Sequence, residues 1–522
     1  MRRHALFIGL FVLVAAARFT ILFASQTHVH SDEAIIGLMG KHILEGRHFP
    51  FYMYGQPYNA GAAWEAYLAA TAFALFGVGV VPLKVWIVIL SLLCLFLFYR
   101  MGCALYDRRT AVFATVVFAL APSLLKWHFQ VRGYSWYFLS IPVLTLLFLT
   151  LEGAPDRRSP LFFVFGIISG LSIFSLELGI AFNLALWTLL LLRQGLSLKN
   201  GLIGVSGFIL GYAPAITYNL THHCDNWGTL REKTGGGAVT RLIQPQTLSQ
   251  IFLTEMPKFF GADTVLWYYP EKPASGFVFY MTALIAAGVA AWPFIRNPLE
   301  VVRAVRSGFV RGKEDRDLLM LLLGFACFIP YVTALMRVPG YFLGGCFFFA
   351  GLTGRLIQRS LICPKGLVRS GGIVILTAIV ATGTAVMIDA AQHNQIDTLT
   401  RCLDREDYCM TRIPGGDLDR VERHLRERGV TDVWTTVSFL YPFLFEFRET
   451  LAVSDTIFGY QLRVYPQTIP WREPRRDRFA VFVMESDSPF LTPLKERFLQ
   501  ATGVRPVITE AGKLAIVEGK AE

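Results

Sequence analysis

Residues 28–44 read HVHSDEAIIGLMGKHIL, and this stretch follows directly on an apolar run near residues 5–24. It holds three histidines, one Asp and one Glu within seventeen positions. The apolar run is long enough to cross a bilayer, which takes about 17–25 residues. The chain therefore leaves a membrane-spanning segment and at once presents Asp32 and Glu33. Because charges beside the hydrocarbon are costly, this arrangement predicts a chemical site at the membrane surface.

The composition of the whole chain excludes a soluble globular protein. Its 522 residues are 54% hydrophobic and 17% charged, with a mean hydropathy of +0.47, whereas soluble domains average about 25% charged residues. The formal net charge is +11, but the Lys and Arg residues lie in short loops between apolar runs. No basic face with interleaved aromatic residues is present, so we expect no nucleic-acid partner.

The apolar pattern predicts a polytopic α-helical membrane protein with about eleven transmembrane helices. The candidates lie near residues 5–24, 80–99, 110–126, 136–151, 160–176, 178–192, 201–219, 276–295, 318–335, 341–358 and 371–389. Lys and Arg concentrate in alternate connections, and the positive-inside rule then places the N-terminus in the cytoplasm. We therefore expect a multi-pass protein of the inner (plasma) membrane, surrounded by membrane lipids, with long outer loops at about 25–79 and 220–275.

The character of the sequence changes near residue 390, where charged residues become dense. Three short runs predict strands, and an amphipathic run before the first of them predicts a helix; these are VTDVWTTV, FAVFVM, LAIV and LDRVERHLRERGV. Residues 390–522 are thus expected to form a small extracytoplasmic α/β domain after a membrane module over residues 1–389. Cys402 and Cys409 are candidates for a disulfide in an oxidising compartment, and the sequence does not decide whether they pair.

Ionisable residues recur in the turns on the predicted outer side: Asp32, Glu33, Lys126, Arg132, Glu177 and Arg337. Carboxylates suit proton abstraction from an attacking hydroxyl or amine. Arg and Lys suit a phosphate that gains charge as it leaves. Their gathering on one side favours an enzyme over a transporter, which more often places such groups near the bilayer midplane. No Walker A sequence occurs, and no GxGxxG follows a predicted strand, so nucleotide binding is unsupported.

Several of these stretches resemble the GT-C glycosyltransferases. The runs HSDEAIIGLMGKHILEG and FYMYGQPYNAGAAWEAYLAA are similar to the first outer loop of the family 39 group, which includes protein O-mannosyltransferases and the lipid A aminoarabinose transferase. The resemblance continues in VRGYSWYFLS, GLSIFSLELGIAF, GYAPAITYNL and HLRERGVTDVWTTVSFLYPFLFEFRE. It implies a GT-C fold and a polyprenyl-phosphate sugar donor. The sugar would pass, with inversion at C1, to a glycan, lipid or protein acceptor outside the cytoplasm.

The resemblance also implies catalytic and phosphate-binding roles. Asp32 matches the acidic first-loop residue of the family and would be the general base or position the acceptor, with Glu33 beside it. Arg132 and Arg337 would hold the donor phosphate, with Lys126 as a further candidate. Arg337 departs from the family pattern, because its turn reads RVPGYF where an Arg-Tyr pair is expected.

A second group of residues is assigned to substrate binding. Glu177 would lie near the acceptor or the sugar, and Tyr54, Gln56 and Tyr58 are candidate contacts in the aromatic segment between the two halves of the first outer loop. The alternative for the tyrosines is an aromatic belt at the membrane interface. The resemblance implies no metal and no other cofactor.

Other interpretations stay open at this point. Ser31 is a good N-cap residue, so Asp32 fits a plain helix start. His28, His30 and Asp32 alternate in a way that suits a divalent metal, and an outer Arg can also snorkel to the lipid headgroups. For the whole chain, the alternatives are a lipid-linked sugar transporter or flippase, a glycan ligase that uses a diphosphate lipid donor, and a non-catalytic scaffold. The sequence does not determine the sugar, the acceptor or the oligomeric state.

Overall fold

The computed structural model describes residues 4–25, 28–125, 128–153, 159–192, 197–234, 249, 251–260, 273–307, 309, 312–333, 342–392, 395–401, 408–454, 465–466, 481–488, 491–503 and 505–518. Statements on structure refer to these residues. Their N-terminal three quarters form a helical bundle, and the rest forms two small sheets with helices packed against them.

The first half of the bundle contains α1 (Ala5–Ser25), α2 (Ser31–Leu44), α3 (Ala60–Phe76), α4 (Val80–Leu105), α5 (Arg108–Leu120), α6 (Pro122–Leu125), α7 (Ser135–Gly153), α8 (Ser159–Ser175), α9 (Gly179–Leu192), α10 (Leu198–Thr221) and α11 (Asp225–Thr234). The second half contains a π-helical turn (Ile251–Glu255), α12 (Met256–Phe259), α13 (Pro273–Arg296), α14 (Leu299–Ser307), α15 (Lys313–Thr333), α16 (Gly345–Ile362) and α17 (Gly366–Gln392).

Ten of the eleven predicted apolar stretches each coincide with one helix of this bundle, apart from a few residues at the ends, and the stretch near 110–126 covers the two helices α5 and α6. Among the described residues, six helices are long and apolar enough to cross a membrane: α1, α4, α7, α10, α13 and α17. The protein is therefore a multi-pass membrane protein, and the total of eleven crossings stays a prediction.

Glycines allow helices α8 and α10 to pack closely against each other. A Cβ on Gly166 would collide with the Gly204 carbonyl, and one on Gly207 would collide with the Phe163 carbonyl. Two membrane helices gain little from the hydrophobic effect, because lipid is as apolar as they are. Small residues that let the backbones approach supply the packing contacts instead.

The C-terminal region confirms the predicted mixture of strands and helices. Its elements are β1 (Gln395–Arg401), β2 (Tyr408–Pro414), α18 (Gly415–Glu427), β3 (Asp432–Thr435), α19 (Val437–Glu446), β4 (Ala452–Ser454), β5 (Val481–Glu485), α20 (Leu491–Thr502), β6 (Val507–Ala511) and β7 (Leu514–Glu518). Strands β1 and β2 pair antiparallel, and the larger sheet has the order β4-β3-β5-β7-β6. Strands β4, β3 and β5 run parallel, and β7 is antiparallel to both its neighbours.

One apolar core joins this region to the segment that follows α1. Ile36 and Met39 of α2 belong to the same buried cluster as Leu418 of α18 and Phe443 of α19. Gly37 packs directly against the Phe445 ring. Residues after 390 thus bury their apolar side chains partly against α2 and α3, and this contact fixes the segment that carries Asp32.

Candidate active site

The start of α2 is organised by His30. Its side-chain Nδ1 accepts a hydrogen bond from the Asp32 backbone N–H at 3.0 Å, and the Glu33 carboxylate accepts from the His30 N–H at 3.2 Å. This is a capping box, which satisfies two backbone donors that the first helical turn leaves unpaired. The expectation that Ser31 caps the helix is wrong, because Ser31 is already the first helical residue. Asp32 therefore lies in the first turn, with its side chain 44% exposed.

Arg132 lies beside this helix start, although it is a hundred residues away in the chain. Its Nε is 3.0 Å from His30 Nε2, and its Nη1 is 4.0 Å from Asp32 Oδ2. Only 10% of the Arg132 side chain is exposed, which does not fit a residue that snorkels to lipid headgroups. A neutral imidazole has a single acceptor nitrogen, so His30 accepts from either the Asp32 N–H or the Arg132 guanidinium at one time.

Two buried carboxylates hold the loop that carries Arg132. Glu33 Oε1 accepts the Val131 N–H at 3.1 Å. Glu65 of α3 accepts the Gly133 N–H at 2.7 Å and the Ser135 N–H at 3.0 Å. Gly133 has φ of +84°, a left-handed conformation that favours glycine. Backbone on both sides of Arg132 is thus fixed by side chains from α2 and α3.

Glu33 is the ion-pair partner of Lys84. The Lys84 ammonium is 3.3 Å from Glu33 Oε1 and also donates to the His28 carbonyl at 2.9 Å. Both side chains are 2% exposed. The Glu33 oxygens contact Lys84 and the backbone N–H groups of His30 and Val131. These are the contacts of a positioning residue. Sequence analysis missed Lys84 and Glu65, although a lone charge inside an apolar helix such as VVPLKVWIV or AAWEAYLAA is a usable signal.

Two of the four candidate substrate-binding residues line a second feature, a polar and aromatic cavity of about 370 Å³ between the segment 48–57 and the end of α10. Tyr54 and Gln56 line it, and Tyr58 is not among its lining residues. Tyr54 is buried, with its hydroxyl 3.1 Å from His42 Nδ1, so it is not part of an exposed aromatic belt.

Glu177 lies in the turn between α8 and α9, close to this polar cavity. Burial, and after it the charge of Glu177, raises the pKa of Tyr52, which lines the cavity. The charge of Glu177 thus acts on Tyr52 in the wall of the cavity, and the substrate-binding role of Glu177 stays a prediction. Lys126 and Arg337 lie outside the described residues, and their phosphate-binding roles stay predictions.

An apolar groove of about 220 Å³ lies among α13, α15 and α16. Its lining is aliphatic and aromatic, and includes Leu284, Phe325, Phe328, Phe342 and Phe349. A lipid tail that enters this groove leaves one apolar surrounding for another, so its fit depends on van der Waals contact with the apolar lining. The groove therefore suits a lipid tail and offers little to a polar ligand.

The alternative metal set of His28, His30 and Asp32 does not form among the described residues. His28 points to the C-terminal region, with Nδ1 3.4 Å from Glu446 Oε1, while His30 is engaged in the cap and with Arg132. The alternation of residues 28, 30 and 32 fails as a guide because the backbone turns into a helix at residue 31.

Comparison with known proteins gives a match in structure only. No family model matches the chain, and a search of curated proteins finds no match. The crystal structure of ArnT from Cupriavidus metallidurans bound to undecaprenyl phosphate gives a TM-score of 0.57 at 13% sequence identity, covering 99% of this chain and 98% of that one. The apo state of ArnT gives 0.56 at 13% identity, covering 98% and 97%. The likeness runs through the whole chain and confirms the GT-C fold.

Proposed function

We propose that this chain of GT-C fold is a membrane glycosyltransferase that moves one sugar from a polyprenyl-phosphate donor to an extracytoplasmic acceptor. The observation that carries the proposal is the pairing of Asp32 with Arg132 at the start of α2. A half-exposed carboxylate and a nearly buried guanidinium lie 4.0 Å apart. The two side chains offer a base and a phosphate ligand close enough together to act on one sugar phosphate.

The proposed reaction is a single inverting displacement. The acceptor oxygen or nitrogen forms a bond to C1 of the sugar, and Asp32 takes the proton that this atom releases. The bond between C1 and the phosphate oxygen breaks on the opposite face, and the electron pair leaves with the polyprenyl phosphate. Arg132 stabilises the second negative charge that the phosphate gains, because a bidentate guanidinium binds phosphate strongly.

The remaining features divide between donor and acceptor. The apolar groove among α13, α15 and α16 suits the polyprenyl tail, and ArnT with undecaprenyl phosphate is a structure of the same fold that binds such a lipid. The polar cavity at Tyr54 and Gln56 suits the sugar or a hydroxylated acceptor, with Glu177 beside it. Lys126 and Arg337 would add charge to the phosphate site. Glu33 would act by holding the Arg132 loop.

The orientation is part of the same proposal. With the N-terminus in the cytoplasm, Asp32 and the C-terminal region face the outer side of the inner membrane. Polyprenyl-linked sugars are the expected donors there, and the acceptor would be a cell-envelope glycan, a lipid or a protein Ser/Thr.

The first test compares lipids from cells that carry the native chain or Asp32→Asn. Loss of a general base costs about 10²–10⁴-fold in rate, so we expect the variant to accumulate a polyprenyl-phosphate monosaccharide that mass spectrometry identifies. Glu314→Gln is the matched control. Glu314 also lies in the first turn of a helix and is 61% exposed, but belongs to α15, apart from Asp32 and Arg132. It should leave the lipid profile unchanged at equal protein levels.

Each rival function gives a different result in this test. Accumulation of a diphosphate-linked oligosaccharide would indicate a glycan ligase. Full transfer activity of purified Asp32→Asn in detergent, with altered movement of lipid across liposomes, would indicate a transporter. Identical lipid profiles for Asp32→Asn and the native chain would leave Asp32 a helix-start residue and refute the proposed mechanism.

A further inference from the structure

His28 lies in a cluster that the proposed glycosyl transfer does not use. The segment before α2 brings His28 against Glu422 of α18 and Glu446 of α19. One ligand atom from each of the three side chains lies within 4.8 Å of the others. It is the one cluster of three such groups among the described residues. His28 is 8% exposed, and the Glu446 side chain is 7% exposed.

Two polar atoms in this cluster are buried without a hydrogen-bond partner, namely His28 Nε2 and Glu422 Oε1. His28 Nε2 also lies 3.2 Å from Asp419 Oδ1, which is an ion-pair distance. Buried polar groups are nearly always satisfied by protein, water or an ion. Two such unsatisfied atoms in one buried cluster therefore point to a ligand there.

The charge of the cluster indicates the sign of that ligand. Asp419, Glu422 and Glu446 bring three carboxylates together. The cations near them are Arg426, 3.9 Å from Glu422, and Lys84, whose charge acts on Glu446. The carboxylates need either a shared proton or a cation to neutralise them.

We propose that His28, Glu422 and Glu446 bind a zinc ion that joins the segment before α2 to helices α18 and α19. One imidazole and two carboxylates suit zinc, whereas Mg²⁺ and Ca²⁺ prefer six or more oxygen ligands. In a tetrahedral zinc site the ligand atoms are about 3.4 Å apart, so small side-chain rotations close the cluster. Asp419, or water, completes the shell. The site has no role in the chemistry at Asp32 and stands apart from the proposed function.

The test uses the full-length protein in detergent, stripped with a chelator and titrated with Zn²⁺. We expect one zinc per chain by elemental mass spectrometry after dialysis. Loss of a hydrogen-bond partner of a metal ligand typically weakens metal binding by about 10–100-fold. We expect a larger loss of zinc affinity in His28→Gln and in Glu446→Gln, because each removes a ligand. His424→Gln is the matched control, since it removes another histidine paired with a carboxylate, Glu518, from α18. It should bind zinc like the native chain.

X-ray absorption of the zinc-loaded native protein tests the site without any substitution. The proposal expects one nitrogen and two or three oxygen ligands at about 2.0–2.2 Å. Sulfur at about 2.3 Å would place the metal at cysteines and overturn the proposal. Absence of stoichiometric zinc, or equal affinity in well-folded His28→Gln, would also overturn it and leave Glu422 and Glu446 sharing a proton.

Discussion

The buried pair of Glu33 and Lys84 gives the sharpest stability prediction. At 3.3 Å and an effective dielectric constant near 20, the attraction between the two charges is about 5 kcal/mol. Desolvation offsets much of this attraction, but removal of one partner leaves the other charge buried alone, which typically costs about 3–5 kcal/mol. Lys84→Met should therefore destabilise the protein by that amount. Because it also frees the loop around Arg132, it should slow glycosyl transfer by about 10²-fold.

A double-mutant cycle isolates the pair. Glu33→Gln keeps an amide oxygen that can accept from the Val131 N–H. Lys84→Met loses the hydrogen bond to the His28 carbonyl whether residue 33 is Glu or Gln, so this loss cancels in the coupling energy. The double variant should be more stable than Lys84→Met alone, with a coupling energy of about 2–3 kcal/mol. Unfolding in mixed micelles, followed by tryptophan fluorescence, measures all four proteins. Effects that add to within about 0.5 kcal/mol would refute the reasoning, because independent sites behave in that way.

Three further predictions concern two glycines and one carboxylate of the C-terminal region. Gly133→Ala should lower the free energy of unfolding by about 1–3 kcal/mol and remove most of the transfer activity, because φ at this position is +84°. Gly288→Ala is the control, since a new Cβ there meets no atom within 4 Å, and it should change neither the unfolding nor the transfer assay. Gly207→Ala should destabilise the contact of α10 with α8, whereas Gly201→Ala on the same helix has open space and should not. Burial raises the pKa of Glu449, but hydrogen bonds from the adjacent histidine and lysine of α2 prevail and lower it to about 2. This stabilisation of about 2–3 kcal/mol, discounted for partial exposure, is present above pH 4.5 and lost as the pH falls towards 2. Glu449→Gln should make the free energy of unfolding less dependent on pH in acid unfolding curves. A curve like that of the native chain would contradict this prediction.

The apolar stretches and the strand runs determined the architecture from sequence alone. Hydropathy reports how each segment meets lipid or water, so the bundle helices and the C-terminal mixture of strands and helices were predictable without knowledge of their partners. The acidic motif after α1 also marked Asp32, because a charged residue beside an apolar membrane segment is energetically costly and usually functional.

The tertiary structure decided which of the marked residues meet. His30 contacts Arg132, Glu65 holds the Gly133 backbone, and His28 turns to Glu446, across separations of 68 to 418 residues. Local patterns carry no information on such pairs, since periodicity describes one element at a time. Glu33 and Asp32 are neighbours in sequence, yet one is buried beside Lys84 and the other is half exposed. The helix that begins at Ser31 turns successive side chains by about 100°, and the packing around it decides which of them is buried.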